Sequence, residues 1–195
     1  MIRLVGSFLL LSCLSFGQSP SNPNEGVLRR GSSEWGVFVG GGTGFGKRSS
    51  TQHFLVGGRW GRVWTDNIGK SWFRGNFETK VEVMPFVAYF QPPVDAYGIE
   101  IKPASLIWNF SGNRRVKPFF ELSGGLLITN HDIPVNTNNV NFTPQGGMGF
   151  HFFTKPGRAL TFQGSYKHVS NAGLDRRNSG INGSLQLILG YTWFR

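Results

Sequence analysis

The chain has 195 residues, of which 28 are glycine, 14% are aromatic and only 15% are charged, and its basic side chains exceed the acidic ones to a formal charge of +10. That length suits one domain, and so few charges are unusual for a soluble surface. No apolar run beyond the first residues approaches the roughly 20 residues of a membrane helix, and the only cysteine, Cys13, falls in that first run, so a chain from which it is cleaved would have no disulfide framework, cysteine zinc site or thiol nucleophile.

Met1-Ile2-Arg3 followed by an apolar run to Phe16, with Ser15 and Gly17 at the −3 and −1 positions before Gln18, has the layout of a secretory signal peptide over 1–17. A lipoprotein cleavage box at Leu10-Leu11-Ser12-Cys13 is the weaker alternative, because the apolar run continues past Cys13. Residues 18–33 are rich in Ser, Pro, Asn and Gly and read as a flexible lead-in segment.

Residues 34–195 resolve into eight strand-like runs. The first, about 34–46, has Trp35, Val37 and Val39 on one parity and then turns glycine-rich. Its glycines lack G-x-G-x-x-G spacing and no helix pattern follows, so a strand that bends tightly explains them better than a phosphate loop. The second, about 53–65, carries His53, Leu55, Trp60 and Trp64. In the third, about 76–90, Phe77, Thr79, Val81, Val83, Pro85, Val87 and Tyr89 share one face, and Glu78, Lys80, Glu82 and Met84 the other. The fourth, about 97–110, sets Ile99 and Ile101 against Glu100 and Lys102. The fifth, about 116–129, sets Phe120, Leu122, Leu126 and Ile128 against Glu121 and Ser123. The sixth, about 140–153, carries Phe142, Met148, Phe150 and Phe152, and the eighth, about 183–194, alternates Leu185, Leu187, Leu189, Tyr191 and Trp193 with polar residues. Apolar residues delivered by alternation, opposite charges of both signs, predict an all-β, eight-stranded antiparallel transmembrane β-barrel with ion pairs inside and lipid outside.

An even strand number puts both ends on the periplasmic side. Residues 111–114 and 154–157 then read as tight periplasmic turns, residues 130–139 and 171–181 as outer loops, and 65–75 as a connection longer than a periplasmic turn should be. Tyr191, Trp193 and Phe194 resemble a C-terminal outer-membrane assembly signature, although Arg195 follows them. The excess positive charge points to an anionic membrane surface. No nucleic-acid-binding pattern is present, and an exported chain has no such partner. His53, His131 and His151 lack metal-ligand spacing and read as surface or interface residues; the six tryptophans read as aromatic girdles. Neither a metal nor a cofactor is expected.

The seventh run, from Leu160, holds the chemistry. Leu160, Phe162, Gly164, Tyr166, His168 and Ser170 share the apolar parity, and Thr161, Gln163, Ser165 and Lys167 the polar one. An imidazole and a hydroxyl thus sit side by side on the face expected to meet lipid, near the outer end of the strand. A barrel of eight strands is filled by its own side chains, so a substrate must arrive laterally from the membrane. A hydroxyl nucleophile beside an imidazole base suggests ester hydrolysis or acyl transfer, on a lipid.

The stretch His168-Val169-Ser170-Asn171-Ala172-Gly173-Leu174, with Arg177-Asn178-Ser179-Gly180-Ile181 after it, resembles the active-site motif of the PagL-type lipid A 3-O-deacylases. These are eight-stranded outer-membrane barrels that remove the ester-linked 3-O acyl chain of lipid A. The resemblance implies His168 as general base and Ser170 as nucleophile. It implies Asn171, with the Gly173 N–H, as oxyanion donor, and Asn178 as a residue shaping the loop. The family's third triad residue is a glutamate, and Asn182 stands at its position. The implied partners are lipid A or lipopolysaccharide and the outer membrane, with a homodimer left open. A non-catalytic structural or lipopolysaccharide-binding barrel and a soluble lipocalin-like ligand carrier are the alternatives, the latter opposed by the charged lumen parity.

Overall fold

The computed structural model describes residues 27–45, 50–113, 115–174 and 182–195. Nine strands, β1 (Ser33–Gly44), β2 (Gln52–Val63), β3 (Gly75–Phe90), β4 (Ala96–Phe110), β5 (Val116–Thr129), β6 (Val140–Phe142), β7 (Gln145–Lys155), β8 (Arg158–Val169) and β9 (Asn182–Phe194), form one antiparallel sheet. β6 and β7 both pair with β5 and are the two halves of a single wall strand interrupted at Pro144. The sheet closes where β1 meets β9, with Trp35 opposite Trp193 and Val39 opposite Leu189. The result is an eight-stranded antiparallel barrel with no open edge, the form in which β-structure can cross a bilayer.

Alternation sorts the side chains as the composition requires. The wall faces out with Val37, Ile99, Leu122, Phe150, Phe162 and Leu187, all exposed. The lumen is filled by charge: Arg59 pairs with Glu34 at 2.9 Å, Lys80 with Glu121 at 3.0 Å, Lys102 with Glu82 at 3.1 Å, and Lys167 with Glu100. Thr143 Oγ1 donates to the other oxygen of Glu100 at 2.6 Å, and Lys102 Nζ donates to Gln145 Oε1 at 3.1 Å. Breaking a buried pair by removing one partner strands the other charge, at a cost of about 3–5 kcal/mol. Lys167→Ala is therefore expected to lower stability by about that much, whereas Leu187→Ala on the outer wall leaves the lumen intact. Urea unfolding of the refolded barrel in bilayers checks both.

Prolines account for the departures from simple alternation. In β3 the pairing with β4 slips between Met84 and Val87, across Pro85, which has no N–H to give the ladder. Beyond that bulge the faces exchange: Phe86 is exposed, while Val87 and Tyr89 are buried in the lumen rather than on the outer face with Phe77 and Val83. A second shift, between Ile101 and Ala104, spans Pro103.

Two histidines expected at the surface are inside. His53 is 4% exposed, stacked on Tyr89 and within 3.0 Å of Gln186 Oε1. His151 is 1% exposed, with Nδ1 at 2.8 Å from Thr161 Oγ1. Each lies on the inward parity of its strand, and each fills lumen volume while satisfying a polar neighbour.

The end carrying both termini is closed by Leu28, Val63, Phe153, Ala159 and Phe194. The lead-in thus ends packed against the barrel, with Asn76 Nδ2 donating to the Leu28 carbonyl at 2.8 Å. Pro156-Gly157 makes a two-residue turn at this end, with Gly157 at φ +69°, and Ser71–Phe73 forms a 3₁₀ turn within the long connection after β2. The opposite, loop end is filled by Leu55, Met84, Tyr89, Val169 and Ile133, the last contributed by the 130–139 loop.

Candidate active site

β8 climbs from the terminal end to the loop end, and its outward row reads Phe162, Gly164, Tyr166, His168, Ser170, while Thr161, Gln163, Ser165, Lys167 and Val169 are buried on the inward side. His168 and Ser170 are both half-buried, on the face that meets lipid, at the loop-end rim. Successive residues of one face are about 7 Å apart along a strand.

Backbone pairing holds the two residues firmly. The His168 N–H donates to the Pro144 carbonyl at 2.9 Å, and Ser170 exchanges two bonds with Phe142 in β6, at 3.0 and 2.7 Å. Pro144 therefore interrupts the wall strand yet keeps its acceptor for the His168 N–H, and the short strand beyond it clamps Ser170. On the other side His168 is paired with Gly183. A Cβ at Gly183 would come within 2.8 Å of both the Tyr166 and Phe45 rings, which lie 5.7 Å apart across this position. Glycine here lets Tyr166 lie against the neighbouring strand, just below the imidazole.

After Ser170 the chain turns sharply. Ala172 and Gly173 both have positive φ, +51° and +79°, a conformation unusual for alanine. The Ala172 N–H donates to Ser170 Oγ at 3.1 Å, and the Gly173 N–H donates to Asn171 Oδ1 at 3.0 Å. Asn171 is 2% exposed. Ala172 N–H is a site group that residue-type reasoning passes over, because a backbone donor has no letter in the sequence. The Gly after it, demanding a tight turn, is its only trace.

The structure brings His168, Ser170, Asn171 and Gly173 together at one rim. Asn182 begins β9 with its backbone opposite Val169, and Asn178 lies outside the described residues. No hydrogen bond joins His168 to Ser170, and the buried His168 Nδ1 has no partner among the described residues. Catalytic contacts of this kind often tighten only with substrate in place.

Below the pair the wall is grooved. Gly146 and Gly164 form the floor of a depression of about 430 Å³, flanked by Phe120, Met148, Tyr166 and Leu187. It runs on down the wall into an apolar trough of about 1000 Å³ past Phe150, Phe162 and Leu189.

The family model for lipid A 3-O-deacylase (PagL) matches residues 46–192. The chain belongs to this family. The crystal structure of the outer membrane enzyme PagL superposes with a TM-score of 0.54 at 19% identity, covering 81% of this chain and 98% of that one. Neisserial surface protein A superposes with a TM-score of 0.57 at 13% identity, covering 84% and 99%, and the N-terminal β-barrel domain of Pseudomonas aeruginosa OprF with 0.52 at 15%, covering 84% and 98%. At such identities the superpositions establish the fold, that of outer-membrane barrels, while membership of the deacylase family rests on the sequence model. No curated protein sequence matches the chain.

Proposed function

We propose that the protein is an outer-membrane lipid A 3-O-deacylase in which Ser170 attacks an ester carbonyl and His168 moves the proton. The observation that carries this reading is the outward placement of an imidazole and a hydroxyl at the rim of a barrel whose lumen is sealed by its own ion pairs. The loop end would face the outer leaflet, so the pair would sit where lipid A presents its ester linkages, and the leader at 1–17 would direct export.

The reaction divides into two steps. His168 takes the Ser170 hydroxyl proton as Oγ adds to the carbonyl carbon, forming a tetrahedral intermediate. Its collapse breaks the bond to the sugar oxygen, which leaves as an alcohol with the proton from His168, and the acyl chain stays on Ser170. Water, deprotonated by His168, then releases the fatty acid and restores the serine. The Ala172 N–H, already at Ser170 Oγ, is the donor closest to the new oxyanion, and Asn171 supports the turn that presents it. Asn182 is assigned the orientation of His168 through Nδ1.

The glycine-floored groove would hold the acyl chain being removed. Gly164 is the place to test it, because a Cβ there meets only Leu187, at 3.7 Å. Gly164→Phe is expected to cut hydrolysis of long-chain substrate at least tenfold through KM, leaving short-chain ester hydrolysis and unfolding unchanged; equal loss on both substrates would dissociate the groove from the acyl chain. The reading as a whole is tested with purified protein and lipid A in mixed micelles. Release of 3-hydroxy fatty acid by wild type and none by Ser170→Ala is expected; no release by either would leave the second reading, a lipopolysaccharide-binding barrel, which asparagine at position 182 in place of a glutamate favours.

A further inference from the structure

The end carrying the termini is rich in exposed basic side chains, while Lys47, Arg48, Arg176 and Arg177 lie outside the described residues. Among the described residues, every lysine and arginine lies either in the lumen or at the end carrying the termini. Arg62, Lys70, Arg74, Arg115, Lys155 and Arg158 are all exposed there, and both chain ends add further arginines. The acid among them is Asp66, whose carboxylate accepts the Arg30 backbone N–H at 3.2 Å. The ion pairs Arg59–Glu34, Lys80–Glu121, Lys102–Glu82 and Lys167–Glu100 are inside the lumen.

The six tryptophans gather at the same end instead of dividing between two girdles. Trp60, Trp35 and Trp193 form a continuous cross-strand row over β2, β1 and β9, and the next residue in that row, on β8, is Arg158. Trp35 and Trp60 meet edge to face at 6.4 Å. At the other side of the row, Arg62 shares the outward face of β2 with Trp60 and Trp64, its guanidinium 5.7 Å from the centre of the Trp64 ring. Tryptophan marks head-group depth. At that depth an arginine on the lipid-facing wall costs little, and its guanidinium can reach the head-group phosphates.

We propose that this row, flanked by Arg62 and Arg158, is a binding surface for anionic phospholipids of the leaflet opposite the active site, with a head-group phosphate at either guanidinium and the acyl chains along Val37, Val39 and Leu189. The site lies at the far end of the barrel from His168 and Ser170 and does not depend on their chemistry.

The test uses the full barrel in nanodiscs of phosphatidylcholine doped with phosphatidylglycerol, reading the lipids retained by native mass spectrometry. Wild type is expected to enrich phosphatidylglycerol. Each of Arg62→Gln and Arg158→Gln should reduce the enrichment by about fivefold, while Arg115→Gln, away from the row, should leave most of it. Raising salt from about 0.1 M to about 1 M should erode the enrichment in wild type as well, which tests the claim without any variant. Equal retention of both lipids by wild type, or enrichment unchanged in the folded double variant, would overturn the proposal.

Discussion

Ser170→Ala and His168→Ala are each expected to lower the deacylation rate by roughly 10⁴-fold or more, and the double variant to lose no more than either one alone. Two groups that act as one unit show this non-additivity, because a serine hydroxyl without its base is a poor nucleophile and a base without its hydroxyl has nothing to activate. Both side chains project outward and neither joins the lumen network. Loss of activity should therefore come with unchanged urea unfolding. Initial rates of fatty-acid release for the three variants, on matched folded protein, check this. Additive losses would mean that the two residues contribute separately, as lipid contacts rather than as a nucleophile and its base.

The second large effect concerns position 182. The resemblance puts a glutamate there in the family, and this chain has asparagine, at the start of β9 with its backbone against Val169. An amide carbonyl can accept the Nδ1–H bond and hold one tautomer, but being neutral it does little for the imidazolium that forms when Ser170 gives up its proton. Asn182→Glu is thus expected to raise kcat, by up to about 10²-fold, the part of a complete triad's roughly 10⁶-fold that a ~10⁴-fold loss in Ser170→Ala leaves over. KM should be little changed, because position 182 is not assigned a substrate contact. Asn182→Ala should lower kcat instead. Steady-state kinetics on the pair of variants measures both, and a kcat indifferent to the two changes would transfer the orienting role to another residue.

Much of this architecture is written plainly in the residues. Period-two alternation in Ile99–Lys102 and in Leu185–Trp193 yields strand, face and lumen at once, because a barrel wall has only two sides. The outward placement of the His-x-Ser-Asn-Ala-Gly stretch is legible for the same reason: β8 keeps strict parity up to Val169, so the imidazole and hydroxyl lie on the outer side. What alternation hides is anything that changes parity. Val87 and Tyr89 continue the apolar row of Phe77 and Val83 on paper, yet the bulge at Pro85 turns them inward. The burial of His53 and His151 is equally concealed, since a histidine on an inward parity looks the same as one at a surface until the strands are closed around it. Pro144 carries two consequences that no local pattern reveals, a break in the wall strand and a carbonyl that positions the backbone of His168. The Ala172 N–H comes from a turn with two consecutive positive φ values, which the sequence marks only by Gly173.

What decides the function is whether an alcohol at the lipid-facing rim of this barrel cleaves an ester of lipid A. Tandem mass spectrometry of lipid A from outer membranes producing the wild-type chain, beside membranes producing equal amounts of folded Ser170→Ala, measures that directly. The expected result is loss of one 3-hydroxyacyl chain by ester cleavage, leaving a free 3-hydroxyl on the sugar, in the wild-type membranes alone. Identical lipid A in the two membranes would contradict it.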